Sequence, residues 1–439
     1  MMKLIKSILA AACVLAAGSA AAVNPVPGTA ASQPLLLKNA TVHSVVVAPT
    51  VQDVLIQDGK IAAVGVNLSA PANAQVQDLT GKNLYPGLIA LINQLGLIEV
   101  EAVRATRDDR ETTATNPDLR AEVAFNADSA VIPTIRSNGF SHSLIYPSGA
   151  LITGRSALMQ LDGWNWQDAL VQSSVGLHVN WPRMGIQTGW WVRDSVEQQQ
   201  KRQAEQLAQL QDYFTAAHAY YLAEKAGLNR GRDSRWHAML SFFEQQLPLF
   251  VHADDPRQMR QAMLLAQQYG VKLVIVGGRD SWRIADELAA NQVAVIYTAP
   301  YGLPTRVDEA YDQAFSAPGV LKRAGVKFAL SLDGFWDTRN LVFAAGHVTR
   351  YGLDPAAALR ALTLDAAEIA GVADRLGSIE VGKSASLVVS NGDIFDYRGH
   401  QVEQMWIDGR TVDLDNKHKQ LHRRYQQRYQ QQGQLSTQP

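Results

Sequence analysis

The chain has 439 residues, 47% hydrophobic and 18% charged, with a formal net charge of −1. That size and apolar content suit a globular protein with one large core and a smaller companion domain. A charge so near zero argues against nucleic acid or an anionic membrane surface as partner, because both depend on excess positive charge.

Residues 1–22 read as a secretory signal peptide. Lys3 and Lys6 precede the apolar run Ile8–Gly18, and Ser19–Ala22 supply small residues for cleavage. The run is far shorter than the ~20 residues of a membrane span, so no transmembrane segment is expected. The one cysteine, Cys13, lies inside this leader, which leaves a mature chain without disulfides or thiolate chemistry. A periplasmic or secreted location is expected.

After a small-residue linker, alternating strands are predicted at Leu35–Lys38, Val42–Val47, Val54–Gln57 and Lys60–Val64, with Asp58-Gly59 as a hairpin turn. The same signals return at Ser386–Ser390, Gln404–Ile407 and Arg410–Val412, with Asp408-Gly409 as the turn. Both termini are therefore expected to build one composite β-sandwich, residues 34–85 plus 378–413. Residues 86–377 form the inserted domain. Eight strands are predicted there: Leu88–Ile92, Phe140–Tyr146, Ala157–Leu161, Val175–Asn180, Leu249–His252, Lys272–Val276, Val293–Ile296 and Val326–Leu332. Several are near-continuous apolar runs, as parallel strands buried on both faces require. Helices Asp255–Tyr269 and Arg279–Asn291 lie between them. The count and alternation predict an α/β fold, a TIM-like (β/α)8 barrel.

The connection after Asn180 is long. Its Gln-rich helix from about Ser195 to Lys225 puts Leu207, Leu210, Phe214, Ala217 and Tyr221 on one face. Packing on the barrel exterior explains that stripe; a lid or dimer arm is the alternative. Residues 414–439 read as a polar tail, a frayed helix or disordered. The acidic stretch Glu99, Glu101, Asp108, Asp109 and Glu111 has Arg104, Arg107 and Arg110 interleaved, the pattern of a self-paired solvated face. His142 beside Ser141 has no visible third partner and reads as a satisfied core residue. Tryptophans follow several strands, and Trp190, Trp191 and Trp336 are the candidates to line a pocket for substrate.

Ordered motifs carry a resemblance. They are Pro86–Ala90 (PGLIA), Gly96–Glu101 (GLIEVE), Thr106–Glu111 (TRDDRE), Asn116-Pro117, Ile132–Gly139, Tyr146–Gly154 and Leu161–Trp164. The helix Ala356–Gly371, the turn Gly377–Lys383 and the strand Ala385–Asp396 complete them. Over roughly residues 35–415 the chain resembles imidazolonepropionase-like, exported members of the amidohydrolase superfamily. The resemblance implies hydrolysis of carbon–nitrogen bonds, in a cyclic amide or dipeptide, at a divalent metal, most simply zinc. It implies two histidines on the first strand, a lysine or glutamate on the fourth, histidines on the fifth and sixth, and an aspartate on the eighth that is also the general base.

Carried over position by position, Ile92 and Gln94 stand where the first-strand histidines belong, Ala90 replaces the preceding aspartate, and Gly277 stands at the sixth-strand position. His252 and Asp333 match, and His178 is the titratable residue of the fourth strand. The implied metal ligands are thus His252, Asp333 and His178, with Asp333 and His252 as catalytic residues. Three readings stay open. One is a C–N hydrolase with a depleted metal centre acting on a small molecule. Another is an inactive homologue that binds a ligand or pairs with an intact paralogue, as a heterodimer or homodimer. The last is metal-free acid–base chemistry at the same pair.

Overall fold

The computed structural model describes residues 25–149, 151–228 and 231–433. The signal-peptide expectation and the last residues of the polar tail fall outside them.

The chain opens with β1 (Leu35–Val42), β2 (Thr50–Gln57), β3 (Lys60–Gly65), β4 (Gln75–Asp78) and β5 (Asn83–Pro86). Asp58 and Gly59, at φ 51° and 76°, make the β2–β3 turn, since this tight hairpin needs two left-handed residues. The strand expected over Val42–Val47 stops at Val42. Val45 takes φ 76°, which extended pairing cannot accommodate.

The inserted domain runs through β6 (Leu88–Asn93), β7 (Phe140–Ile145), β8 (Ile152–Arg155), β9 (Ala157–Gln160), β10 (Leu170–Gln172) and β11 (Leu177–Asn180). It continues with β12 (Leu249–Ala253), β13 (Leu273–Gly277), β14 (Ala294–Tyr297) and β15 (Phe328–Leu330). Two sheets result, in the orders β10-β9-β7-β6 and β15-β14-β13-β12-β11-β8. The run of eight parallel strands is corrected here. β8 pairs antiparallel with β11 and β9 antiparallel with β7. Between β7 and its neighbour β9 lies β8 and no crossover helix, the connection that a parallel neighbour needs. The segment Ile152–Gln160 therefore bends from one sheet into the other. At the opposite margin the Ser331 hydroxyl donates to the Leu91 carbonyl.

One apolar cluster takes Ile89 and Leu91 from β6, Leu144 from β7, Leu158 from β9, Phe250 from β12, Val274 and Val276 from β13, Ile296 from β14 and Ala329 from β15. Alternate residues such as Leu249, Val251, Ile275, Val295 and Phe328 belong to the other large cluster, which contains the helices. The two sheets thus share one packed interior under a helical layer, a TIM-barrel-like α/β arrangement.

The chain returns through β16 (Leu387–Ser390), β17 (Val402–Ile407) and β18 (Arg410–Thr411) into the first sheet, in the order β18-β17-β16-β5-β1-β2-β3, with β4 beside β1. The side domain is sewn together where β16 pairs β5. Buried Arg136 ties several segments to one another. It donates to Asp162 at 2.8 Å and to the carbonyls of Leu161 and Asp413, while Asp162 also accepts from the Gly28 amide.

The long helix spans Val196–Lys225, opened by a Ser195/Gln198 capping box, and buries Leu210, Phe214 and Ala217 against the barrel. The end of the chain forms helix Lys417–Gln431, which buries none of its residues. Among the described residues no helix is long and apolar enough to cross a membrane.

Candidate active site

The C-terminal ends of the barrel strands open on a cleft of about 580 Å³. Ile92 reaches it from β6, Tyr146 from the end of β7, Asn180 from β11, His252 from β12 and Gly277 from β13. Thr298 follows β14 and Asp333 follows β15. The chain folds this way because apolar alternation buries each strand body and leaves its last residues at the rim.

His252 and Asp333 both line this cleft, and His178 does not. His178 is fully buried behind His252, its Nδ1 3.0 Å from His252 Nε2. Tyr146 stacks on both imidazoles at 4.9 Å. Burial pushes His252 down to about 4, and burial together with the neighbouring His252 pushes His178 well below the usual imidazole range. Both rings are therefore neutral at neutral pH, one donating to the other. Removal from water pushes the Asp333 carboxyl up. The nearby Asp254 charge adds to this, while the Thr298 hydroxyl and Arg279 oppose it.

Positions 92 and 277, where the resemblance implies ligands, carry other features in the structure. Ile92 adopts φ 59°, an uncommon conformation for a β-branched residue and a local store of strain. At Gly277 (φ 95°), a Cβ would lie 2.7 Å from Asp254 Oδ1, so the Asp254 carboxylate occupies the space a sixth-strand side chain would enter. Asp254 is held there by the Arg279 amide. Divalent metal is usual in the implied family, but this donor set does not fit one. His252 Nε2 is already bonded to His178, and no three His, Cys, Asp or Glu side chains converge among the described residues.

The three tryptophans expected at the pocket do not line it. Trp190 and Trp191 are exposed and meet edge to face at 5.8 Å. Trp336 packs 5.6 Å from His418 of the last helix, with the Arg339 guanidinium over its ring. His142 is buried and bonded to Ser141, away from the cleft. The acidic stretch is only partly the solvated, self-paired face expected: Asp109 pairs with Arg107 and Arg110 but is buried, and Glu99 accepts from Ser129 and Ala130, outside the stretch.

Sequence reasoning missed Tyr146, Thr298, Arg183 and Gln258, which line the cleft. Only the Gln258 capping pattern, Asp255-Pro256-Arg257-Gln258, carried a local signal.

The Amidohydrolase family model matches residues 205–412. The chain is 27% identical to an amidohydrolase crystal structure from Thermotoga maritima MSB8, with a TM-score of 0.77 over 86% of this chain and 99% of that one. A prolidase crystallised with N-methylphosphonate-L-proline is 18% identical, with a TM-score of 0.53 over 87% of this chain and 100% of that one. Among curated proteins, the amidohydrolase tasK of Hapsidospora irregularis is 21% identical over 407 residues; the match covers 83% of this chain and 40% of that protein. The matched region, the sheet order and the strand-end cleft agree on one likeness: this chain is similar to amidohydrolases in fold and over residues 205–412.

Proposed function

We propose that this protein acts on a carbon–nitrogen bond of a small molecule, a cyclic amide or a dipeptide, in the cleft above His252 and Asp333. The observation that carries this reading is that a carboxyl with a raised pKa and a neutral imidazole open into one cleft at the strand ends. A group poised nearer neutral pH is suited to general-base work. Asp333 would take a proton from a bound water as its oxygen attacks the carbonyl carbon. The same proton then passes to the departing nitrogen, so that water is added across the broken C–N bond. His252, neutral and fixed by His178, would orient the substrate carbonyl or the water. No step is routed through a metal. That one structural neighbour is a prolidase bound to a proline phosphonate is in keeping with a dipeptide-sized ligand. The leader sequence would carry the protein to the periplasm.

A second reading has its own observation. Ile92, Gln94 and Gly277 stand at ligand positions, and Asp254 covers Gly277. Such a chain could then bind a ligand without turnover, beside an intact paralogue. Turnover of a panel of dipeptides and cyclic amides separates the two. Under the first reading Asp333→Asn lowers kcat by ~10²–10⁴. Under the second, no member of the panel is hydrolysed at any pH, and a barrel with intact metal ligands co-purifies.

A further inference from the structure

Three arginines line the cleft: Arg183, Arg279 and Arg306. Arg306 is spent on Asp280, which it grips through both guanidinium nitrogens at 2.7 and 3.1 Å, and on Glu309. Arg279 donates to the Leu303 carbonyl and faces Asp333 electrostatically. Arg183 has no hydrogen bond or ion pair to any described residue, although it stands in a loop tied down on both sides.

On one side, the Trp181 amide donates to the His252 carbonyl, and the Trp181 indole to Gln261 at 3.0 Å. Gln258, 8% exposed, uses its whole amide on this junction. Its nitrogen donates to the Trp181 and Pro182 carbonyls, both at 3.0 Å, and its oxygen accepts from the Asp254 and Asp255 amides. Gln258 thereby joins the loop that carries Arg183 to the loop that carries Asp254. On the other side, Gln203 of the long helix donates to the Gly185 carbonyl at 3.1 Å. The backbone on either side of Arg183 is thus held, while its exposed guanidinium has no partner among the described residues, in a cleft that Asp254 and Asp333 also line.

We infer that Arg183 receives the carboxylate of the substrate, that Gln258 positions it, and that the ligand therefore carries a free carboxylate at one end. A planar guanidinium pairs with a carboxylate through two parallel bonds, and a tethered loop lowers the ordering cost of making them. Asp254 and Asp333, which line the same cleft, would repel that carboxylate, so charge alone favours its end of the ligand at Arg183. This inference rests on the reading of the cleft as a site for small C–N compounds.

Calorimetric binding of glycyl-L-proline and of glycyl-L-prolinamide to the purified protein tests it. Arg183→Gln is expected to weaken glycyl-L-proline about tenfold or more and to leave the amide within about twofold, with Arg183→Lys intermediate. Gln258→Leu is expected to reproduce the selective loss, and to add nothing further in the Arg183→Gln background, because it acts through Arg183. Equal weakening of both probes, or of neither, overturns the inference. If the amide binds and depends on Asp333 while Arg183 is indifferent, the inference alone has failed. If neither probe binds the unaltered protein, the reading of the cleft fails with it.

Discussion

Gly277 and Ile92 stand at the two cleft positions with the most unusual backbone. Position 277 combines a left-handed backbone with the Asp254 carboxylate lying where a side chain would begin. Restoring the ancestral residue type there should therefore harm the protein. Gly277→His is expected to destabilise the fold by ~1–3 kcal/mol through backbone strain and displacement of Asp254. Thermal unfolding and metal analysis check this: a lower midpoint with no gain of bound zinc is the expected result, and an unchanged midpoint with stoichiometric zinc refutes it. Positions 92 and 277 were singled out from the sequence by motif order, which is a one-dimensional property. It carried no sign that Ile92 is strained or that Asp254 fills the gap, since both depend on how neighbouring strands approach.

The long helix Val196–Lys225 is the clearest test at the level of the element. Its apolar stripe was legible from three- and four-residue spacing, and the structure places that stripe on the barrel exterior. Phe214 is completely buried, 5.4 Å from the Phe242 ring and 5.9 Å from Tyr269. Few other residues of the helix are buried, so Phe214 anchors much of it. Phe214→Ala is expected to cost ~3–5 kcal/mol. The loss should appear by hydrogen exchange first as faster exchange across residues 196–225, with β12 and β13 still protected. Uniform loss of protection would show instead that helix and barrel unfold as one unit. The third predicted strand failed for an element-level reason. Its apolar content matched a parallel barrel strand, but direction is set by the length of the connection and not by composition.

For the molecule as a whole, three imidazoles are held neutral inside the fold. Burial lowers His142 and His252 to about 4, and His178 is lowered further by its neighbour. Each folded value lies below the ~6.5 of an exposed histidine, so the unfolded chain binds more protons as the pH falls through that range. The stability they contribute is complete above about pH 6.5 and declines toward pH 4, by up to ~1.4 kcal/mol per pH unit for each group. Asp162, Asp333 and Asp365 are raised by burial and pull the other way at the acidic end, so the net loss is expected between about pH 6.5 and pH 4 and is smaller toward its acidic end. Urea midpoints at pH 7.5, 6.0 and 5.0 should fall in that order. A flat or rising series would mean that these imidazoles are solvated.

What the sequence determined by itself was local or ordered along the chain: the Asp-Gly hairpins, the capped helices, the apolar strand bodies, and the motif order that carries the resemblance to amidohydrolases. Each depends on residues within a few positions of one another or on their succession. Tertiary structure alone decided the rest. It buried His178 behind His252, set Asp254 over Gly277, turned Trp190, Trp191 and Trp336 away from the cleft, and left Arg183 in the cleft lining without a partner among the described residues. These outcomes depend on which strand ends and loops meet in space, and contacts between residues many positions apart leave no periodic trace in a single chain.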